Sequence, residues 1–407
     1  MSAPPSVAAD SARLRAMERL ARLPAWVGVL AAALATALMV WAHPNMQIDT
    51  HVYRRGAEVL LAGTDRLYEQ PYGDLPFTYP PIAAAFFLPL ALPIPVAAFL
   101  LIAAGVAAIW RLTWIVLDVL RPGERGLVHA QVAAVLLPLA VLSEPLYKTF
   151  SYGQINLILA WLVAEDLLRL HRGRFGGVLL GIATLIKLTP AAFFLVVLLR
   201  KDVASMVRGV GTILAGIAVG FAVMPSSSRA FWTSMSQASD RVGDPAYFLN
   251  QSMKGVLARL GYGAGGVWLV VVLAVISVTA WTVWVALRAD RDVPAVLATA
   301  VCALMISPVS WSHHWVWTWP LLVWAFAAHD ARPGPRTATV AGLWALAIYT
   351  YPFWWAVPHD PDWASVPWWQ MLLADTYVVL GLGTVIMFGW RAARVHRSAA
   401  SRAPSAQ

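Results

Sequence analysis

The sequence predicts an all-α polytopic membrane protein, a bundle of about 10–12 transmembrane segments with its reactive loops on the external side. Three observations predict it. Hydrophobic residues make up 59% of the 407 and charged residues only 13%, which is more apolar surface than a soluble domain buries. Apolar runs near the roughly 20 residues of a membrane helix recur along the chain. The Lys and Arg residues, which leave a formal net charge of +9, fall in short clusters between those runs, as cytoplasmic turns require. Their placement makes nucleic acid a poor partner.

Residues 1–24 read as a cytoplasmic tail, 25–391 as one transmembrane domain and 392–407 as a second cytoplasmic tail. Arg13, Arg15, Arg19 and Arg22 precede the apolar run 26–42, which places the N-terminus inside and the next loop outside. That run lacks a small-residue cleavage site, so it reads as a retained helix. Residues 79–118 are interrupted at Pro89, Pro93 and Pro95, which predicts a half-helix near 80–92 and then one crossing to a basic turn at Arg121 and Arg125. Residues 127–142 lead back out, SEPLYKTFSYGQ forms a second external loop, and 155–168 return to the basic turn at 169–174. The run 176–199 carries Lys187, Thr189 and Pro190 near its middle and basic residues at both ends, so it reads as a broken or re-entrant segment. Further crossings follow at 209–223, 266–287, 294–307, 315–328, 337–353 and 370–390, with SPVSWSHH and the Trp-rich segment 351–369 outside. Cys302 lies inside an apolar run and reads as a buried thiol.

The external loops carry most of the reactive side chains. Asp49 stands near His51, Tyr53 and Arg54; Tyr79 follows, then Lys148, Gln154 and Asn156, then Asn250, Gln251 and Lys254, and finally His313 and His314. A carboxylate with nearby His, Lys and amides suits general-base work on a hydroxyl with stabilisation of a leaving phosphate. The plainer alternative for Asp49 is a helix N-cap. His313 and His314 lack the spacing of a metal pair, and bonding to a phosphate or sugar hydroxyl suits them better. Lys187 inside an apolar run is expensive, so it is a candidate binding residue, with snorkelling to carbonyls freed by Pro190 as the alternative. Most of the tryptophans read as an interfacial belt. No cofactor or metal is called for.

The segments IDTHVYRRGA, PFTYPP, GQIN, IKLTP with Lys187, NQSMKG and SPVSWSHHW, in this order, resemble the polyprenol-phosphate-mannose-dependent mannosyltransferases of the glycosyltransferase C superfamily, family 87. The resemblance implies a glycosyltransferase C-like bundle with Asp49 as catalytic base. It further implies a polyprenyl-phosphate-mannose donor, a phosphatidylinositol mannoside acceptor, an α-1,2 product formed with inversion, and a plasma-membrane location with the site outside. His313, His314 and Lys254 would then neutralise phosphate or orient the acceptor. Arabinofuranosyl transfer and lipomannan branching are alternatives within the family. Outside it the alternative is a polyprenyl-linked sugar transporter, which would place its ionisable residues at the membrane midplane rather than at one face.

Overall fold

A computed structural model describes residues 15–42, 47–69, 71–73, 75–123, 126–233, 243–262, 265–328, 335–358 and 361–400. Residues 1–14 and 401–407 of the predicted tails, and Arg125 of the first basic turn, lie outside them. The described chain is helical throughout, with only two isolated β-bridges. In order the helices are α1 (Ala25–Ala42), α2 (Ile48–Leu61), α3 (Ala83–Phe86), α4 (Ile94–Leu120), α5 (Gly126–Leu142), α6 (Glu144–Tyr152), α7 (Asn156–Glu165), α8 (Val178–Ile186) and α9 (Phe194–Leu199). They continue with α10 (Val203–Val223), α11 (Pro225–Thr233), α12 (Met253–Arg259), α13 (Gly266–Arg288), α14 (Asp292–Ile306), α15 (Thr318–Ala327), α16 (Pro335–Thr350), α17 (Phe353–Ala356), α18 (Trp368–Ala374) and α19 (Thr376–Ala400).

Length decides which of these cross a membrane unaided. At 1.5 Å per residue a hydrocarbon core of about 30 Å needs roughly 20 residues. Four apolar helices reach that class: α4, α10, α13 and the first 19 residues of α19. Two bent pairs add to them, Arg15–Ala21 with α1, bent by 77°, and α5 with α6, bent by 78°. The protein is therefore an all-α polytopic membrane protein. The 10–12 segments expected from apolar run length exceed these four to six because polar breaks divide several runs into helices of 10–17 residues. Prolines make some of the breaks. Pro89 sits in a 3₁₀ turn after α3, and Pro93 precedes α4, as the three prolines predict.

Two compact units are present: Met1–Ala191 with Ala204–Gly243, and Ala192–Val203 with Asp244–Gln407. In the first, α5 packs on α1 and α4, α7 packs on α4 and α8, and α2 lies against α3, α4 and α6. In the second, α13, α14 and α19 form the core, with α15 and α16 packed on its edge and α9 against α13 and α14.

The run 176–199 is broken where expected. Helix α8 ends at Ile186, Lys187 is extended (φ −149°, ψ 136°), Thr189–Phe193 forms a 3₁₀ turn and α9 follows. Pro190 cannot continue an α-helix and biases the residue before it away from helical torsions. At its other end α8 is capped from a distance. The buried Asp166 accepts the N–H groups of Gly177 and Leu180 at 2.7 and 2.9 Å, although it belongs to a π-helical turn that continues α7. One residue earlier, Glu165 takes a two-pronged bond from Arg111 of α4, both contacts at 2.8 Å. The pair α7 and α8 is thus pinned at one end by Asp166, and at the other Lys187 donates to Asn156, while Glu165 ties α7 to α4.

Candidate active site

Helix α2 opens one residue before Asp49, so Asp49 lies in the first turn and is not the N-cap; that position belongs to Gln47. A carboxylate in the first turn is favoured by the helix dipole. The residue keeps part of its surface open, while its carboxyl is buried. Burial pushes the group from its ordinary value of 3.8 up to about 6, against the opposing pull of the Lys187 ammonium and of a hydrogen bond from Gln154.

Tyr53, one helical turn beyond Asp49, shares its face. Its hydroxyl donates to Gln154 Oε1 at 3.1 Å, accepts the Ile155 N–H at 3.3 Å and lies 3.1 Å from the Tyr79 hydroxyl. A phenol has one proton to give. With that proton on Gln154 Oε1, Tyr79 must donate to Tyr53, and Gln154 must turn its amide nitrogen toward Asp49. The ring of Tyr53 stacks on Phe87 at 4.3 Å, and Phe77 packs edge-on against Tyr79. Gly56 allows this approach, because a Cβ there would stand 2.4 Å from the Phe77 ring. Lys187 Nζ donates to Asn156 Oδ1 at 3.0 Å and lies 5.8 Å from the centre of the Tyr79 ring. Asp49, Tyr53, Tyr79, Gln154, Asn156 and Lys187 therefore form one polar cluster inside the first unit.

Other candidates from the same unit have contacts elsewhere. His51 and Arg54 point away from the Asp49 face by helical phase. His51 stacks on Tyr72 at 4.3 Å, and partial burial together with Arg54 lowers its pKa; Arg54 pairs with Glu58 at 2.9 Å. Lys148 lies between Tyr147 and Tyr152 on α6, 5.5 and 5.9 Å from their ring centres. Asp65 accepts the Ser226 and Ser227 N–H groups and so caps α11.

The second unit brings together NQSMKG and SPVSWSHHW. Asn250 and Trp311 form a bridge, with Gln251 N–H donating to Ser310 O at 2.7 Å and Ser312 N–H to Leu249 O at 3.0 Å. Asn250 accepts from Ser310 N–H and donates to Pro245 O, while Gln251 donates to Phe248 O and Ala374 O and accepts from Tyr377 N–H. Both amides therefore act on the protein's own backbone. Ser252 caps α12, whose second residue is the half-buried Lys254. His313 and His314 sit in a 3₁₀ turn with rings 4.7 Å apart and nearly perpendicular. His313 is buried and His314 partly open. Arg259 and Asp375, an ion pair that the sequence reading missed, tie α12 to the start of α19. Among the described residues no three His, Cys, Asp or Glu side chains gather as metal ligands.

A known profile, glycosyltransferase family 87, matches residues 77–308 of the chain. The chain belongs to glycosyltransferase family 87. Among its curated relatives in the family, a polyprenol-phosphate-mannose-dependent α-(1-2)-phosphatidylinositol mannoside mannosyltransferase of Mycolicibacterium smegmatis is 35% identical over 84% of this chain and 83% of its own. A protein of the same description from Mycobacterium tuberculosis is 31% identical over 91% and 92%. A polyprenol-phosphate-mannose-dependent α-(1-2)-phosphatidylinositol pentamannoside mannosyltransferase of Mycolicibacterium smegmatis is 34% identical over 96% and 94%. No solved structure matches the chain. The Asp49 motif IDTHVYRRGA lies N-terminal to the matched residues, so its weight comes from geometry.

Proposed function

We propose that this family 87 glycosyltransferase moves mannose from polyprenyl phosphate mannose to a phosphatidylinositol mannoside in α-1,2 linkage, at the external face of the plasma membrane, with Asp49 as general base. The observation that carries the reading is the cluster around Asp49: a carboxyl poised near neutrality, with Gln154 beside it and a lysine close enough to pull on it. The relatives' descriptions support the donor, the acceptor class and the linkage.

The chemistry needs one base. The acceptor hydroxyl gives its proton to the Asp49 carboxylate as its oxygen attacks the anomeric carbon of the β-mannoside. The bond from that carbon to the phosphate oxygen breaks on the opposite face, so the configuration inverts to α. Polyprenyl phosphate departs carrying the electron pair, and a phosphate monoester leaves without a general acid. Lys187, held by Asn156, supplies positive charge in the same cluster.

Relatives of both acceptor descriptions match at similar identity, 35% and 34%, so sequence similarity does not choose between a shorter mannoside and the pentamannoside. The test is transfer from radiolabelled polyprenyl phosphate mannose to a panel of phosphatidylinositol mannosides in the presence of a chelator. One labelled product, released by an α-1,2-specific mannosidase and unaffected by metal removal, is expected. Label transferred from an arabinofuranosyl donor instead, or activity restored only by magnesium or manganese, would overturn it.

A further inference from the structure

We infer that Gln47 and Thr50 are positioning residues that hold Asp49 in register with Gln154, an inference that rests on the reading of Asp49 as base. Neither residue has chemistry of its own to offer the reaction, and both are enclosed: Gln47 is 4% exposed and Thr50 is fully buried. They stand two residues before and one residue after Asp49, so they fix the turn that carries it. Gln47 Nε2 donates to Phe150 O at 2.7 Å and to Ser151 O at 3.2 Å. Those carbonyls belong to the last turn of α6, where a helix has carbonyls to spare, and Phe150 O also accepts the Gly153 N–H at 3.3 Å. Gln47 Oε1 accepts the Thr50 hydroxyl at 3.0 Å, which turns the amide so that its nitrogen faces α6. One amide thus closes the end of α6 and clamps the first turn of α2 onto it.

Immediately after α6 comes Gly153 in the left-handed region (φ 72°), and then Gln154, which hydrogen-bonds the Asp49 carboxyl. The clamp therefore joins the two short segments whose side chains must meet. Gly153 belongs to it, because a Cβ there would stand 1.9 Å from Thr50 Oγ1 and 2.7 Å from Gln47 Oε1. If Gln47 lets go, α2 is held to the 154–155 segment through Tyr53, one helical turn beyond Asp49, and the first turn of α2 is free to shift so that the Asp49–Gln154 contact lengthens. The groups facing the carboxyl are Gln154, the Lys187 ammonium and the phenols of Tyr53 and Tyr79. Losing Gln154 removes one of the two influences that hold the carboxyl down.

The experiment compares purified full-length Gln47→Ala, Thr50→Val, Thr50→Ser and Asp49→Asn in transfer from radiolabelled polyprenyl phosphate mannose, with kcat, donor KM and the pH profile of kcat/KM for each. Misplacing a catalytic group by about 1 Å costs on the order of 10²-fold. Gln47→Ala and Thr50→Val are expected to lose about 10- to 100-fold in kcat with donor KM within about twofold, and to shift the acid limb to higher pH. Thr50→Ser, which keeps the hydroxyl, is expected to restore both kcat and the limb. If Gln47→Ala does not fold, the Thr50 pair carries the comparison alone. Wild-type kcat and limb in Thr50→Val, or an equal loss in Thr50→Val and Thr50→Ser, overturns the positioning role. Activity in Asp49→Asn overturns the base assignment instead, so the two failures are distinct.

Discussion

At the scale of the residue, Asp49 carries two opposed consequences of one environment. A base must be ionised, and burial pushes this carboxyl up to about 6, so kcat/KM is expected to be flat above that pH and to fall about tenfold per unit below it. For folding the sign is reversed. A carboxyl whose folded value lies above its unfolded one stabilises the fold only when protonated, and that contribution is lost as pH rises from about 4 through about 6. At pH 7 the ionised group therefore costs stability. Asp49→Asn, which keeps the shape without the charge, is expected to lower transfer by about 10²- to 10⁴-fold while melting at the same temperature as wild type or higher. A melting temperature several degrees lower at pH 7, with the acid limb unchanged, would show that the carboxyl is held as a structural partner. Asp49 is legible in the sequence because it is the first acid after an apolar run. Gln47 is not, because an amide in a polar loop looks the same whether it faces water or clamps a helix.

At the scale of the element, two short segments decide whether the cluster exists. Gly153→Ala forces an L side chain into the left-handed region, which costs about 1 kcal/mol, and drives its Cβ into Thr50. The variant is expected to lose at least 2 kcal/mol by the standards of strained backbone and to lose most of its activity, whereas Gly123→Ala, where a Cβ meets nothing within 4 Å, is expected to be neutral in both thermal shift and transfer. Asp166 acts from further away. Removing a buried cap leaves the Gly177 and Leu180 N–H groups unsatisfied and costs roughly 1–2 kcal/mol. Asp166→Ala is therefore expected to raise hydrogen exchange at the start of α8 and to lower kcat, with Asp166→Asn intermediate because one acceptor oxygen remains. Unchanged exchange over 177–181 would remove the cap from the account. The break at Lys187 is legible because Pro190 forces it. The cap that organises the other end of α8 is not, since it comes from 11 residues upstream on a π-helical turn that no local pattern announces.

At the scale of the whole molecule, composition is sufficient for the class and insufficient for the count. Apolar runs mark segments that avoid water, but they do not fix the length of the helix each one forms: the runs at 294–307 and 315–328 become α14 with 15 residues and α15 with 10. For the same reason the convergence of IDTHVYRRGA, PFTYPP, GQIN and IKLTP in one cluster is legible only as a likeness in residue type, because contacts between segments about 100 residues apart leave no local periodicity. Sidedness rests on this count. Between Thr64 and Arg174 the chain passes through α4, α5 and α7; if all three cross, the two residues lie on opposite faces, and the positive-inside bias predicts that the Arg-rich turn at 169–174 faces the cytoplasm. Helix α4, with 27 residues, spans about 40 Å and crosses with length to spare. Helix α5, with 17 residues, spans about 26 Å and crosses only with help from its flanks, while α7 needs its π-helical extension to Leu170. If the bent pair α5 and α6 dips in and returns, the parity changes and Thr64 joins Arg174 on one side. Single cysteines at these two exposed positions decide it, since Cys302 is buried and stays silent to a membrane-impermeant maleimide. Thr64→Cys is expected to react in intact cells and Arg174→Cys only in inverted vesicles. Reaction of both from the same face would remove the external site from the proposal and turn α5 and α6 into a re-entrant hairpin.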